Sequence, residues 1–255
     1  MRINKFIASC GIASRRKAEE MIQEGRVRIN DSVVSDLSTK VNELDIVKID
    51  GKIINKVEEK YYYMLNKPIG YVSTAKDQFG RPSVVDFFDK KQRIYPVGRL
   101  DYDSRGLLLM TNDGDLTYAL THPKYHIEKI YEVKVSSALS NSEIEKFKSG
   151  IDIGGYITAK SRITFIDNTS YEVIIKEGKN RQIRKMFSAL GKNVLDLKRV
   201  SIGKLKLMDL KEGTYRNLTN EEVFSRHAHN HEFEQMFHRS MSLEVRYHMA
   251  SPEVK

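Results

Sequence analysis

Tyr95-Pro96-Val97-Gly98-Arg99-Leu100-Asp101, followed closely by Gly106-Leu107-Leu108-Leu109-Met110, is the stretch that decides how this 255-residue chain is read. The second part is an uncharged apolar run, short enough for a buried strand. The first is a loop closed by the turn Gly98-Arg99-Leu100-Asp101. One arginine and one carboxylate therefore stand two residues apart where the chain enters its core. An ordinary loop aspartate caps a neighbouring backbone. A bare Arg-x-Asp turn is weak evidence of chemistry, and the weight on Asp101 comes from the segments that accompany it.

Composition bounds what that chemistry acts on. With 30% charged and 40% apolar residues the chain reads as globular, and its length suits one large domain or two of unequal size. A net charge of +9 and a sequence pI near 9.4 call for an acidic partner, most commonly nucleic acid. The charge is uneven: from Lys176 to Lys206, ten lysines and arginines face only Glu177 and Asp196. Cys10 is the sole cysteine, which excludes an intramolecular disulfide and a cysteine-based zinc site. No apolar stretch approaches the ~18 residues that span a bilayer, and Met1-Arg2-Ile3-Asn4-Lys5 lacks a signal-peptide core. A cytoplasmic protein without membrane association is expected.

Residues 1–60 read as a separate small module. Ile3, Phe6, Ile7 and Cys10 share one helix face that ends at Gly11. Ser14 caps a second helix that buries Ala18, Met21 and Ile22 and stops at Gly25. Arg26-Val27-Arg28-Ile29 alternates cation with β-branched residue, a strand with one basic face. A further strand, Ile46–Ile49, closes on the turn Asp50-Gly51. Arg15, Arg16 and Lys17 occupy the first turn of the second helix, where the dipole disfavours cations. Together with Arg26 and Arg28 they mark a phosphate-binding edge. Cys10 reads as a small core residue.

Lys56–Lys60 is a polar, open connector to a second domain, 61–218. There Tyr61–Leu65 reads as a strand, and Asn66-Lys67-Pro68-Ile69-Gly70-Tyr71-Val72-Ser73-Thr74 as turn plus strand. Leu116, Ala119 and Leu120 suggest a short helix. Tyr131, Val133 and Val135 share a strand face, as do Tyr171, Val173 and Ile175. Ser140 and Glu143 form a capping box for a helix that ends near Gly150. The expected fold class is α+β: a small N-terminal α/β RNA-binding module and a larger domain with a mainly antiparallel mixed sheet. Residues 219–255 form a C-terminal helix, opened by a Thr219–Glu222 capping box, and a polar tail.

A second constellation is Glu177-Gly178-Lys179-Asn180-Arg181-Gln182-Ile183-Arg184-Lys185-Met186. Asn180 can cap a helix whose apolar stripe is Ile183, Met186, Phe187 and Leu190, with Gly191 beyond its end. Lys179, Arg181, Arg184 and Lys185 then lie off that stripe, at a basic helix start suited to RNA phosphates.

Three of these segments together resemble one family. Gly98–Asp101 with Gly106–Met110 and Thr111-Asn112-Asp113-Gly114-Asp115, the string Asn66–Thr74, and Gly178–Met186 are similar to the RsuA-like group of bacterial rRNA pseudouridine synthases. Gly11–Glu19 resembles the S4-like RNA-binding module, over residues 1 to about 60. The resemblance implies conversion of uridine to pseudouridine in ribosomal RNA, more specifically that of the large subunit. It makes Asp101 the indispensable carboxylate. Arg184 would pair with Asp101 and keep it ionised, since burial alone favours the neutral acid. Tyr131, in Glu128–Val133, would stack on the target base and is the candidate for taking the proton that leaves carbon 5. Ile183 would either pack in the uracil pocket or simply in the core. Arg99 would fill the space, or hold the backbone, where the base has flipped out. Lys67, Lys179, Arg181 and Lys185 join Arg15, Arg16, Lys17, Arg26 and Arg28 as RNA contacts.

The isomerisation involves no redox step and no external group, so no cofactor is expected. Whether the carboxylate attacks the ribose or the base stays open, as does the choice of uridine. A metal at Asn112–Asp115 is rejected, because the acidic spacing of a calcium loop is missing. His227, His229, His231 and His238 have no ordered ligand spacing. The expected partner is ribosomal RNA or an assembling ribosomal subunit, met by a monomer. The alternatives are a non-catalytic RNA-binding or ribosome-assembly protein, and the same chemistry on small-subunit rRNA or on tRNA.

Overall fold

A computed structural model describes residues 1–54 and 58–224. Part of the Lys56–Lys60 connector, and the four tail histidines, lie outside the described residues. The chain forms two compact units, Met1–Lys60 and one that begins at Tyr61.

In the first unit, α1 (Ile3–Ser9) and α2 (Arg15–Gln23) precede β1 (Val27–Ile29), β2 (Ser32–Val33), β3 (Val47–Ile49) and β4 (Lys52–Ile53). The strands form one sheet in the order β2-β1-β3-β4. Apolar spacing decides the packing. Ile3, Phe6 and Ile7 of α1 and Ala18, Met21 and Ile22 of α2 are buried against Val27, Val47 and Ile49. The Ser14 side chain accepts from the Lys17 amide and starts α2 as its sequence predicts. Cys10 follows α1 and is half-buried against this core, where burial pushes its thiol up to about 11.

The second unit is built on a nine-stranded mixed sheet. Its elements in chain order are β5 (Tyr62–Lys67), β6 (Tyr95–Val97), β7 (Arg105–Thr111), α3 (Gly114–Thr121), β8 (Lys129–Val135), α4 (Asn141–Ser149), β9 (Arg162–Asp167), β10 (Ser170–Ile175), α5 (Gln182–Ala189), β11 (Val194–Ile202), β12 (Leu205–Lys206), β13 (Tyr215–Asn217) and α6 (Asn220–Phe224). The main path runs β13-β5-β7-β11-β8-β10-β9, with β6 on β7 and β12 on β11. Among the described strands, only β7 and β11 pair in parallel. The α+β class with a mainly antiparallel mixed sheet is what the alternating segments called for.

The run Gly106–Met110 is central because both of its faces are covered. Leu108 and Met110 pack with Tyr131, Val133, Val173 and the α5 residues Ile183, Met186 and Phe187. Leu107 and Leu109 pack on the opposite face with Leu116, Ala119 and Leu120 of α3. Gly106 lets β7 approach β11: a Cβ there would lie 2.3 Å from the Arg199 carbonyl oxygen, and its φ of +106° excludes most side chains. Both capping boxes are present, Ser140–Glu143 on α4 and Thr219–Glu222 on α6. The strand expected over Tyr71–Thr74 does not form. Val72 makes a single isolated bridge to Ser83, and the rest of the segment bends away as a loop. Among the described residues no helix is long and apolar enough to cross a membrane.

Candidate active site

Asp101 stands in the loop between the end of β6 at Val97 and the start of β7 at Arg105. Gly98 turns the chain into this loop with a φ of +70°, a conformation that favours glycine. Leu100 is buried in the main core and anchors the loop beside the aspartate. The Ser73 hydroxyl accepts from the Leu100 amide at 3.1 Å and donates to the Leu100 carbonyl at 2.8 Å. The Gly70 amide donates to the Tyr102 carbonyl at 2.9 Å. Asp101 keeps its side chain 30% exposed, at an open cleft of about 400 Å³ that Arg99, Tyr102, Asn180 and the segment 72–81 also line.

Lys67 is not an RNA contact. It is fully buried, and its ammonium donates to the carbonyls of Pro68, Asp101 and Ser104 at 3.0, 3.1 and 2.7 Å. The reason is positional. β5 ends at Lys67, where the loop residues Pro68, Asp101 and Ser104 surround its side chain and their inward carbonyls need a donor. Burial pulls the Lys67 ammonium down to about 8, against the opposing pull of the Asp101 and Asp103 carboxylates.

The expected Arg184–Asp101 pair is likewise replaced. Arg184 Nη2 donates to the Asp103 carbonyl at 2.7 Å, and Nη1 to the Val194 carbonyl at 3.1 Å. Its Nε lies 3.3 Å from Asp103 Oδ2, within ion-pair range but misaligned for a hydrogen bond. Arg181 is the cation beside Asp101, at 3.9 Å, and it grips Asp103 with both ends of its fork at 3.0 and 2.9 Å. Those bonds hold the Asp103 carboxyl below its ordinary value. Asp103 thus joins the Asp101 loop to the start of α5, a role the sequence reading missed. The signal was present: two carboxylates two apart, and two arginines three apart.

Asn180 does not cap α5. Arg181 holds the N-cap position with a φ of 52°, and the buried Gln182 does the tying. Gln182 Oε1 accepts from the Lys179 amide at 3.0 Å, and its Nε2 donates to Glu177 at 2.7 Å. A buried amide satisfied at both ends outcompetes an exposed asparagine cap. Glu177 also accepts from the Tyr156 hydroxyl at 2.7 Å and the Ala159 amide at 3.0 Å, while Lys179 lies 4.4 Å over the Tyr156 ring. Lys185 is exposed on α5.

Tyr131 and Ile183 are buried in the same core as Leu100 and do not line the open cleft. The Tyr131 ring is 7% exposed, and its hydroxyl makes no hydrogen bond among the described residues. In the first unit, Arg15 and Arg16 are exposed at the start of α2. Lys17 is held by Glu20 at 2.8 Å, and Arg26 by Asp50 at 2.7 Å and Glu24 at 3.0 Å. Arg28 is exposed and bonds the Asp31 carbonyl at 2.9 Å. Five expected cations therefore separate into three whose charge faces solvent and two already neutralised. Asp113 caps α3 through its Oδ1 and accepts from the Tyr62 hydroxyl through Oδ2 at 2.9 Å, the work of a structural carboxylate.

A partly exposed carboxylate beside Arg181, on a strongly basic chain, is an arrangement suited to a protein that acts on nucleic acid. The family model described as RNA pseudouridylate synthase matches residues 61–189, and that described as S4 domain matches residues 1–47. The chain is 44% identical to the ribosomal large subunit pseudouridine synthase B of Bacillus subtilis, over 87% of this chain and 93% of that protein. It is 35% identical to the dual-specificity RNA pseudouridine synthase RluF of Escherichia coli, over 88% and 77%. A crystal structure of a pseudouridylate synthase superposes with a TM-score of 0.65 at 33% identity, covering 88% of this chain and 98% of that one. The chain belongs to the RNA pseudouridylate synthase family, as an isomerase with an N-terminal S4 RNA-binding domain.

Proposed function

We propose that the protein converts uridine to pseudouridine at defined positions of ribosomal RNA, that of the large subunit, with Asp101 as the attacking carboxylate and without a cofactor. The observation that carries this reading is Asp101 itself. It is offered at an open cleft, while its own carbonyl is gripped from behind by buried Lys67. The name of the Bacillus subtilis relative supports the large-subunit assignment. In this reading residues 1–60 hold RNA, residues 61–218 carry out the reaction, and the protein works as a cytoplasmic monomer.

The reaction breaks the bond from N1 of uracil to C1′ of ribose, turns the base, and forms the C5–C1′ bond. N1 gains a proton and C5 loses one, so atoms and electrons balance within the nucleoside. The uridine must first leave its stack, at a cost of a few kcal/mol that favours loops. Asp101 attacks the ribose or the base. Arg181 supplies the positive charge beside it, and Arg184 with Asp103 fixes the loop it stands on. Arg99, exposed at the cleft, occupies the place left by the flipped base. Tyr131, whose hydroxyl is unengaged among the described residues, is the residue that stacks on uracil and takes the C5 proton once RNA is bound. Ile183 gives the buried floor beneath that ring. Lys179, Lys185, Arg15, Arg16 and Arg28 are the phosphate contacts.

Asp101→Asn keeps the size and removes the charge. RNA binding is expected to persist while pseudouridine formation falls to background. Pseudouridine mapping in rRNA from cells with and without the gene, complemented by either form, makes the measurement. Formation by Asp101→Asn near the wild-type rate would end the assignment. A second reading is favoured by the dual-specificity relative: the same chemistry extended to another RNA class, which the same mapping applied to tRNA detects.

A further inference from the structure

Phe79 is the most exposed aromatic ring among the described residues, at 78%, and it lines the same cleft as Asp101. The chain around it is not slack. The Asp77 carboxylate accepts from the Phe79 amide at 3.0 Å, from the Arg81 amide at 2.8 Å, and from Arg81 Nη2 at 2.8 Å. One nearly buried carboxylate thus ties the turn at three points, with its side chain only 7% exposed. The Arg81 guanidinium in turn lies 5.1 Å from the centre of the Phe79 ring.

Two physical consequences follow. An apolar ring held out in water by a braced turn forgoes burial that a loose loop would recover by collapsing. Its ordering is complete before any ligand arrives, so little entropy is lost on contact. Asp77 also neutralises Arg81, so this wall does not act as a bare phosphate clamp. What remains is a flat ring with a cation against it and surface left open. That arrangement suits a nucleobase, which offers a π-face whatever its identity. Flipping a uridine toward Asp101 unstacks its neighbours, and such unpaired bases are what aromatic side chains take up in RNA recognition.

We propose that Phe79, backed by Arg81 and Asp77, is a stacking seat for the nucleobase adjacent to the flipped uridine and adds affinity for RNA in which that base is unpaired. This rests on the rRNA reading above and adds to it a residue for the neighbouring nucleotide.

The test uses the full-length protein and the rRNA stem-loop whose uridine the wild type converts. That RNA is made intact and with each neighbour of the uridine abasic in turn. On intact RNA, Phe79→Ala should weaken binding roughly 5- to 150-fold, the range of one base–aromatic stack, with single-turnover rate at saturation within about two-fold. Phe79→Trp should bind as well as wild type. Removing one particular neighbour should weaken wild type to the level of Phe79→Ala and leave Phe79→Ala unchanged. Equal losses for Phe79→Ala on every abasic RNA, or no loss on intact RNA, would overturn the proposal. A lowered melting temperature together with failure of Phe79→Trp would show a structural ring and overturn it too. If the wild type converts uridine only in tRNA, the rRNA reading fails alone, and the same comparison on that RNA decides the stacking seat.

Discussion

Lys67 serves three carbonyl oxygens with one ammonium, and a neutral amine has only two hydrogens to offer. Its folded value near 8, against 10.5 for a free lysine, gives stability and activity opposite trends with pH. Between those values the unfolded chain binds more protons. Lys67 therefore contributes stability that is present above about 10.5 and lost as pH falls through about 8. Lys129, pulled to about 8 by burial, adds a contribution of the same sign. Activity should run the other way, because losing a donor loosens the loop that aims Asp101. We expect single-turnover pseudouridine formation to decline above pH ~8 while the melting temperature does not. Lys67→Met should lose about ten-fold or more in rate below that pH and flatten the decline, and Lys129→Met should keep the wild-type profile. A wild-type rate level through pH 9 would show that the third hydrogen bond is dispensable.

At the scale of the element, the start of α2 divides cations by what surrounds them. Arg15 and Arg16 sit at a helix N-terminus, where the dipole opposes them, while Lys17 has Glu20 and Arg26 has Asp50. Replacing Arg15 and Arg16 together with Gln should leave folding unchanged or slightly improved. It should flatten the slope of log affinity against log salt by about 1.5 units, at roughly 0.7–0.9 per phosphate. Lys17→Gln should move the slope much less. Binding titrations across a salt series, with thermal melts of each variant, measure both. An unchanged slope with a lowered melting temperature would make these arginines part of the fold rather than of an RNA-binding edge.

At the scale of the whole molecule, each unit has its own core, one of them built from only sixty residues. Small cores hold stability in few side chains. Ile7 is fully buried in the first unit, and Ile7→Ala should remove about 2–5 kcal/mol, a large part of what such a unit has. Calorimetry should then show a transition of the first unit moved to much lower temperature, with the transition of the second unit in place. A single transition that shifts as a whole would mean that the two units melt together.

The sequence by itself determined what depends on neighbours in the chain. Period and caps placed α1, α2, α4 and β10, and the uncharged run Gly106–Met110 read as a buried strand. The turn before it presented Asp101, and no distant contact was needed to recognise that. Tertiary structure decided the partners of the charges around Asp101. Lys67 and Lys179 look alike in a list of basic residues. One is sealed inside by the loop whose carbonyls it serves; the other lies over a tyrosine ring at the surface. Arg181 takes the place beside Asp101 that was expected of Arg184 for the same reason. A guanidinium goes to the carboxylates and carbonyls that the fold brings within reach, and Asp103 stands nearer to both arginines than Asp101 does. Hydrophobic pattern is a local property with a fixed period, whereas charge pairing depends on distances of a few ångströms between segments far apart in sequence.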